Sequence, residues 1–288
     1  MPHTHQQNIL EIFTSKSAIA RYLIPSKKEN KTIGFVPTMW ALHKGHLSLI
    51  DIAGELTDTV VCSIFVNPTQ FTDPKDLKKY PRPIEADIEL LRSSRCRALF
   101  LPSVEEMYSA NETWSIDLGG LDNILEGTLR PGHYQGVTQI VKKLLDVVNP
   151  DFMFMGQKDY QQVMVLEHMV KTLNIPVELV MCPIVREPSG LALSSRNVHL
   201  SDTEHSQAAV LSKVLQDVKA RFADEPIESL KEGALQALRN AAGIEPEYFE
   251  ICNARTLQPA TEKDRESVVA LVAAKVGNTR LIDNIILK

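Results

Sequence analysis

The chain has 288 residues with 44% hydrophobic and 23% charged content, the proportions of an ordinary globular protein, which exclude a disordered or low-complexity polypeptide. Its formal net charge of -5, from 31 basic and 36 acidic residues, excludes a general electrostatic pull toward nucleic acid or anionic lipid, so any bound anion is expected to be caught by local geometry. The length suits two unequal domains better than one, at roughly 100–200 residues per domain.

From Thr32 to about Cys182, short apolar runs alternate with longer amphipathic ones, the pattern of β-α-β units around a parallel sheet. The predicted strands are Ile33–Val36, Thr59–Val66, Ala98–Leu101, Phe152–Met155 and Val177–Met181. Between them, His46–Leu56, Ile84–Ser94, Gly136–Val148 and Tyr160–Leu173 carry apolar residues at helical spacing, most clearly Val137, Ile140, Val141, Leu144, Leu145 and Val148. After Pro183 the texture changes. Ser201 and Glu204 form a capping box that opens a helix to about Ala223, and a second helix is predicted from Glu228 to Asn240. Strands near Tyr248–Ala254, Ser267–Val276 and Thr279–Leu287 follow, with Gly277 and Asn278 as a hairpin turn. The fold class read from this order is α/β, with domain boundaries at 1–183 and 184–288. The smaller carboxyl-terminal α+β domain is expected to pack closely and close over a cleft.

Cys62, Cys96, Cys182 and Cys252 form no Cys-x-x-Cys pair and read as buried free thiols of a reducing compartment. Met1 to Gln7 lacks a basic segment followed by an apolar stretch, and no apolar run approaches the length of a membrane span. A cytoplasmic location without a membrane partner is the expectation.

Three polar motifs follow directly from predicted strands, at the carboxyl ends where open α/β sheets bind ligands. In the first, Gly34 to His46, the chain leaves a strand, turns and enters a helix, placing His43 and His46 near a helix start, where free N–H groups and the positive dipole end favour phosphate. An isolated His-x-x-His is more often a helix cap and a surface residue. The second, Phe65 to Phe71, carries Asn67 and Gln70, amides that donate and accept and so suit a small hydroxy acid; alone it reads equally well as an Asn-Pro turn. In the third, Gly156 permits close backbone approach, Lys158 supplies a point charge for phosphate, Asp159 can cap the helix or accept from a ribose hydroxyl, and Gln162 reaches the same crevice. A fourth segment, Arg186 to Asn197, offers Ser194, Ser195 and Arg196 in a Gly-containing loop suited to clamping phosphate. No Ser-His-Asp or Cys-His arrangement stands out.

Together, Pro37-Thr-Met-x-Ala-Leu-His-x-Gly-His46, Phe65-Val-Asn-Pro-x-Gln-Phe71, Tyr80-Pro-Arg82, Arg130-Pro-Gly-His133, Gly156-x-Lys-Asp159 with Gln161-Gln162, and Leu193-Ser-Ser-Arg-Asn197 closely resemble the pantothenate synthetase family, in the family's order from Thr32 to Leu200. The resemblance implies a Rossmann-like nucleotidyltransferase domain, with the His-x-x-His segment related to the HIGH signature of class I aminoacyl-tRNA synthetases. It also implies a homodimer that uses ATP with Mg²⁺ to make a pantoyl-adenylate from pantoate, which β-alanine then attacks. Carried over by position, ATP would be contacted by Pro37, Thr38, Met39, Trp40, Ala41, Leu42, His43, Lys44, Gly45 and His46. It would also meet Gly156, Gln157, Lys158 and Asp159, and further along Val185, Leu193, Ser194, Ser195 and Arg196. His46 would be the proton donor, with His43, Lys158 and Arg196 the other catalytic groups. Gln70 and Gln162 would hold pantoate with Asn67 beside them, Gln70 would also lie near β-alanine, and Asp87 would match a Mg²⁺ position. Two residues depart from the family: Trp40 stands where it usually has Gly, and Lys44 where an acidic residue is common. Rival readings are a nucleotidyltransferase of the same fold acting on another small substrate, and a non-catalytic ATP- or RNA-binding module.

Overall fold

The structure is a computed structural model that describes residues 9–288 except 72–76, 79–82 and 111. The Tyr80-Pro-Arg82 motif therefore lies outside the described residues. The chain divides into two compact units, the described part of Met1–Gly156 together with Gln162–Cys182, and Gln157–Gln161 together with Pro183–Lys288.

The first unit is built on a six-stranded, wholly parallel sheet. Its strands are β1 (Glu11–Phe13), β2 (Ile33–Thr38), β3 (Thr59–Ile64), β4 (Ala98–Phe100), β5 (Phe152–Gly156) and β6 (Glu178–Cys182), in the order β1-β4-β3-β2-β5-β6. The order reverses between β2 and β5, which makes the carboxyl ends of these two neighbours the topological switch point of an open α/β sheet. Alternation along the strands sorts side chains onto two buried faces. On one, Ile33, Phe35, Val61, Phe100, Met153 and Met155 meet α1 (Lys16–Lys28), α6 (His133–Val148) and α7 (Tyr160–Thr172). On the other, Val36, Val60, Cys62, Leu99 and Phe154 meet α2 (Lys44–Leu56) and α3 (Ile84–Arg92). Both faces being covered explains why the strands read as apolar runs rather than as an apolar-polar alternation. Short helices α4 (Val104–Met107) and α5 (Glu126–Leu129) lie between β4 and α6.

β1 and α1 precede the region where periodicity is legible. β1 has three residues, and α1 carries Pro25 within its length. Elsewhere the expected strands and helices appear with shifts of a few residues at most, as helix-end fraying dictates.

In the second unit, α8 (Asp202–Arg221) and α9 (Ile227–Asn240) accompany an antiparallel sheet in the order β7 (Ile244–Asn253), β8 (Val268–Val276), β9 (Thr279–Ile286). Ser201 is the α8 cap, and both halves of its box with Glu204 are formed. Leu211, Leu215, Leu230, Phe249, Ile251 and Val272 are among the side chains of its core. Gly277 turns the β8–β9 hairpin with φ +56°.

Candidate active site

Each of the first two motifs begins where a strand of the first unit ends. The chain leaves β2 at Thr38, whose buried hydroxyl bonds the Ser63 carbonyl at 2.7 Å and ties that exit to β3. Pro37 and Met39 flank it, half-buried. His43 then caps α2: its Nδ1 accepts the Gly45 N–H at 3.1 Å, while His46 Nδ1 accepts the His43 N–H at 3.2 Å. The two rings lie 4.1 Å apart between centroids, tilted by 38°. The helix-cap reading thus holds, with His43 as the cap and His46 completing the box. With both Nδ1 atoms acting as acceptors, the neutral rings carry their protons on Nε2, which becomes the donor of each imidazole.

The loop before the cap needs external support. Ala41 has φ 59°, in the left-handed region that costs a non-glycine residue roughly 1–2 kcal/mol. Asp87 of α3 supplies the support: one carboxylate oxygen accepts the Ala41 N–H at 2.9 Å and the other the Leu42 N–H at 2.8 Å. Asp87 is 1% exposed, and its burial pushes the carboxyl pKa up against the lowering effect of the Leu42 and Ala41 N–H groups. Asp87 thus braces the left-handed turn from below with one bond from each carboxylate oxygen. Among the described residues, no three His, Cys, Asp or Glu side chains are grouped to hold a metal ion.

Neither Trp40 nor Lys44 sits at a position of positive φ. The left-handed position is Ala41, not Trp40, so the indole imposes no backbone strain and packs, partly buried, against the cluster around Leu42 and Leu49. Lys44, at the first turn of α2, is exposed, and Gly45 after it is half-buried.

The second motif leaves β3 and forms a single 3-10 turn, Pro68–Gln70. Asn67 is 1% exposed and its amide is heavily engaged: Nδ2 donates to the Gly136 carbonyl at 3.0 Å and to Gln70 Oε1 at 3.3 Å, and Oδ1 accepts from the Tyr108 hydroxyl at 2.5 Å. It therefore holds the turn together. Gln70 Nε2 sits 3.3 Å from the Met39 sulfur, linking the second motif to the first.

Two features of α6 fix this turn, and neither carries a role legible in the sequence. A Cβ placed on Gly136 would lie 2.4 Å from the Thr69 carbonyl oxygen and 2.7 Å from the Gln70 nitrogen, so the close approach requires glycine. His133, 5% exposed, bonds the Gln70 carbonyl through Nδ1 at 2.8 Å and meets Arg130 Nη1 through Nε2 at 3.1 Å. The guanidinium can only donate, so Nε2 is the acceptor and Nδ1 carries the proton toward Gln70. The Arg130-Pro-Gly-His133 motif thereby acts on the position of Gln70.

The third motif follows β5. A Cβ on Gly156 would meet no atom within 4 Å. Gln157–Asp159 form a 3-10 turn in which Lys158 Nζ lies 3.8 Å from the exposed Asp159 carboxylate, and the helix α7 that follows carries Gln162, half-buried. In the fourth segment, the Leu193 N–H bonds the Val185 carbonyl at 3.0 Å, pairing two residues expected to contact ATP. Ser194 Oγ caps the 3-10 turn Ser195–His199 by accepting the Arg196 N–H at 3.2 Å. Ser195 and Arg196 are half-buried. The first two motifs are thus turns braced by distant side chains, Asp87 for the first and Tyr108 and His133 for the second.

Comparison with known proteins gives a consistent result. The family model described as Pantoate-beta-alanine ligase matches residues 11–286. A pantothenate synthetase of Porphyromonas gingivalis is 44% identical over 278 residues, covering 96% of this chain and 99% of its own length. The crystal structure of pantothenate synthetase from Thermus thermophilus matches with a TM-score of 0.89 at 36% identity, covering 96% of this chain and 99% of that one. The pantoate-beta-alanine ligase of Francisella tularensis, complexed with beta-gamma ATP and beta-alanine, matches at 0.80 with 35% identity, covering 97% and 98%.

Proposed function

Because this chain belongs to the pantoate–β-alanine ligase family and is an enzyme of that class, we propose that it joins pantoate to β-alanine in two steps through a pantoyl-adenylate. The observation that carries the reading is the reciprocal cap of His43 and His46 at the start of α2, matched over a full-length family relationship. Use of ATP is supported by the beta-gamma ATP in the Francisella relative, and β-alanine as the amine by the same complex.

In the first step, a pantoate carboxylate oxygen attacks the α-phosphorus of ATP and the bond to the β-phosphate bridging oxygen breaks, releasing pyrophosphate. The substrate is its own nucleophile, so no activated Ser or Cys is called for. His43 and His46 donate from Nε2 to phosphate oxygens, with His46 serving the leaving group. Their Nδ1 atoms are engaged by the backbone, which fixes ring orientation before ATP arrives. Lys158 and Arg196 add positive charge to the phosphates. Residues 37–46, 156–159, 185 and 193–196 form the ATP-binding set. Gln70 and Gln162 hold pantoate, Gln70 also lies by the β-alanine, and Asn67 serves them by shaping the turn. In the second step, the amine of β-alanine attacks the acyl carbon and AMP departs with the bonding electrons.

Mg²⁺ enters as part of the substrate, carried on the phosphates, which agrees with its habit of keeping water and substrate oxygens as ligands. A homodimer and a cytoplasmic setting complete the proposal, the latter supported by four buried free thiols.

The test is ATP–pyrophosphate exchange. Exchange is expected only when pantoate is present, with pantothenate and AMP released once β-alanine is added. Exchange without pantoate, or a nucleotide retained on the product, would assign a different reaction.

A further inference from the structure

We infer that Asn284, on β9, is a positioning residue for Lys158 in adenylate formation, an inference that rests on the phosphate-binding role proposed for Lys158. Asn284 is 1% exposed, and its side chain reaches across more than a hundred residues of sequence. Nδ2 donates to the Gln157 carbonyl at 3.0 Å and to the Lys158 carbonyl at 2.9 Å, while Oδ1 accepts from Gln157 Nε2 at 3.1 Å. Two consecutive carbonyls of the turn are thus held by the two hydrogens of one amide. Aspartate has the shape but lacks the donors, and an aliphatic residue makes none of these bonds.

The preceding residue works in the same direction. Asp283 is 3% exposed and takes a bidentate pair from Arg186, with Nη1 at 2.6 Å and Nη2 at 2.9 Å. Arg186 also donates to the Gly190 carbonyl at 3.0 Å and to the Asn284 carbonyl at 3.2 Å. Arg186 bridges to Ala192, and from there the chain runs directly into Leu193–Arg196. Adjacent residues of a strand point to opposite faces, so burial of both is unusual for a small antiparallel sheet, and two adjacent buried polar residues carry a desolvation cost that apolar packing would avoid. Here that cost is offset by a hydrogen-bonded network, and its two arms end on the Lys158 turn and on the segment leading to Arg196.

A three-residue 3-10 turn has little internal rigidity, so the placement of Lys158 depends on what grips its carbonyls. Loss of the grip would displace the ammonium from the phosphate without removing it. Misplacements of about 1 Å are enough to cost on the order of a hundredfold in rate.

The experiment measures pantoate-dependent ATP–pyrophosphate exchange on the full chain for Asn284→Ala, Asn284→Asp, Lys158→Ala and the Asn284→Ala/Lys158→Ala double variant, with thermal unfolding of each. Asn284→Ala and Asn284→Asp are expected to lower kcat by about tenfold or more while KM for pantoate stays within about twofold, a split that general loosening of the fold would not produce. In the Lys158→Ala background, the further loss from Asn284→Ala is expected to shrink to less than about twofold, since the group it places is gone. Multiplying losses, an unchanged kcat, or failure of both Asn284 variants to unfold cooperatively would each overturn the inference. Full activity of Lys158→Ala would overturn the Lys158 assignment itself and the inference with it, and is told apart because it appears in the single Lys158 variant.

Discussion

The cap formed by His46 and the donor role proposed for it can be separated by substitution. Its Nδ1 caps the His43 N–H, a local bond of the kind whose loss costs typically about 1 kcal/mol, whereas a preorganised donor to a developing charge is worth on the order of a hundredfold or more in rate. His46→Ala is therefore expected to abolish most pantoate-dependent exchange while lowering thermal stability only slightly; equal losses in the two measurements would make the residue structural. Asp87 calls for the opposite pattern. Asp87→Asn leaves one acceptor for two N–H groups and turns an NH₂ toward the other, so about 1–3 kcal/mol of stability should be lost and KM for ATP should rise as the Ala41 turn relaxes. The Mg²⁺ concentration giving half-maximal activity should not move if Asp87 acts only on the loop, and a large shift in it would assign Asp87 a metal role. The raised pKa of Asp87 means that the native chain holds this proton more tightly than the unfolded chain, so the stability it contributes is full below about pH 4 and lost as pH rises through the folded value. The stability gap between wild type and Asp87→Asn is accordingly expected to widen toward acid pH in denaturant titrations.

At the scale of elements, the turn carrying Gln70 is held from α6 by Gly136, His133 and, through His133, Arg130. Gly136→Ala would push a methyl group into the Thr69 carbonyl and the Gln70 nitrogen. The expected outcome is a loss of about 1–3 kcal/mol of stability with KM for pantoate raised at least several-fold and KM for ATP nearly unchanged, checked by steady-state kinetics of exchange. These contacts also show where sequence reasoning reaches its limit. The strands, the helices and the segments holding His43, His46, Gln70 and Lys158 are legible because each is a local pattern, an apolar period or a polar cluster at a strand end. The placement of Asp87 under Ala41 is not, because a carboxylate in the first turn of a helix reads the same whether it meets a metal or two N–H groups. Asn67 likewise reads as a substrate amide, and its bonds to Gly136 and Tyr108 cannot be read from the sequence because those partners are distant in the chain. Asn284 gives no signal at all, since its partners lie in another part of the chain. β1 and α1 escape a sequence reading because three residues and a proline-bearing helix offer too little periodicity.

For the molecule as a whole, Cys62, Cys96, Cys182 and Cys252 are all buried and free. Burial pushes the Cys182 thiol up to about 11 and those of Cys96 and Cys252 to about 12, so thiolate is scarce at any pH the native protein meets. All four are expected to react with an aromatic disulfide reagent only at the rate of unfolding, and a reductant should leave the melting temperature unchanged; a thiol that reacts quickly in the native state would contradict this burial. The molecule also has just two tryptophans, and they differ in kind. Trp114 is tethered through its indole N–H to Thr138 at 3.0 Å, while Trp40 lies in the stretch between β2 and α2, three residues before His43. Trp114→Phe would leave a single tryptophan, in the segment leading into His43, so nucleotide titration should be visible as a change in intrinsic fluorescence without any added dye. An unresponsive spectrum in a variant that still performs exchange would place the indole away from the bound nucleotide. Trp40 would thereby become this enzyme's own optical reporter.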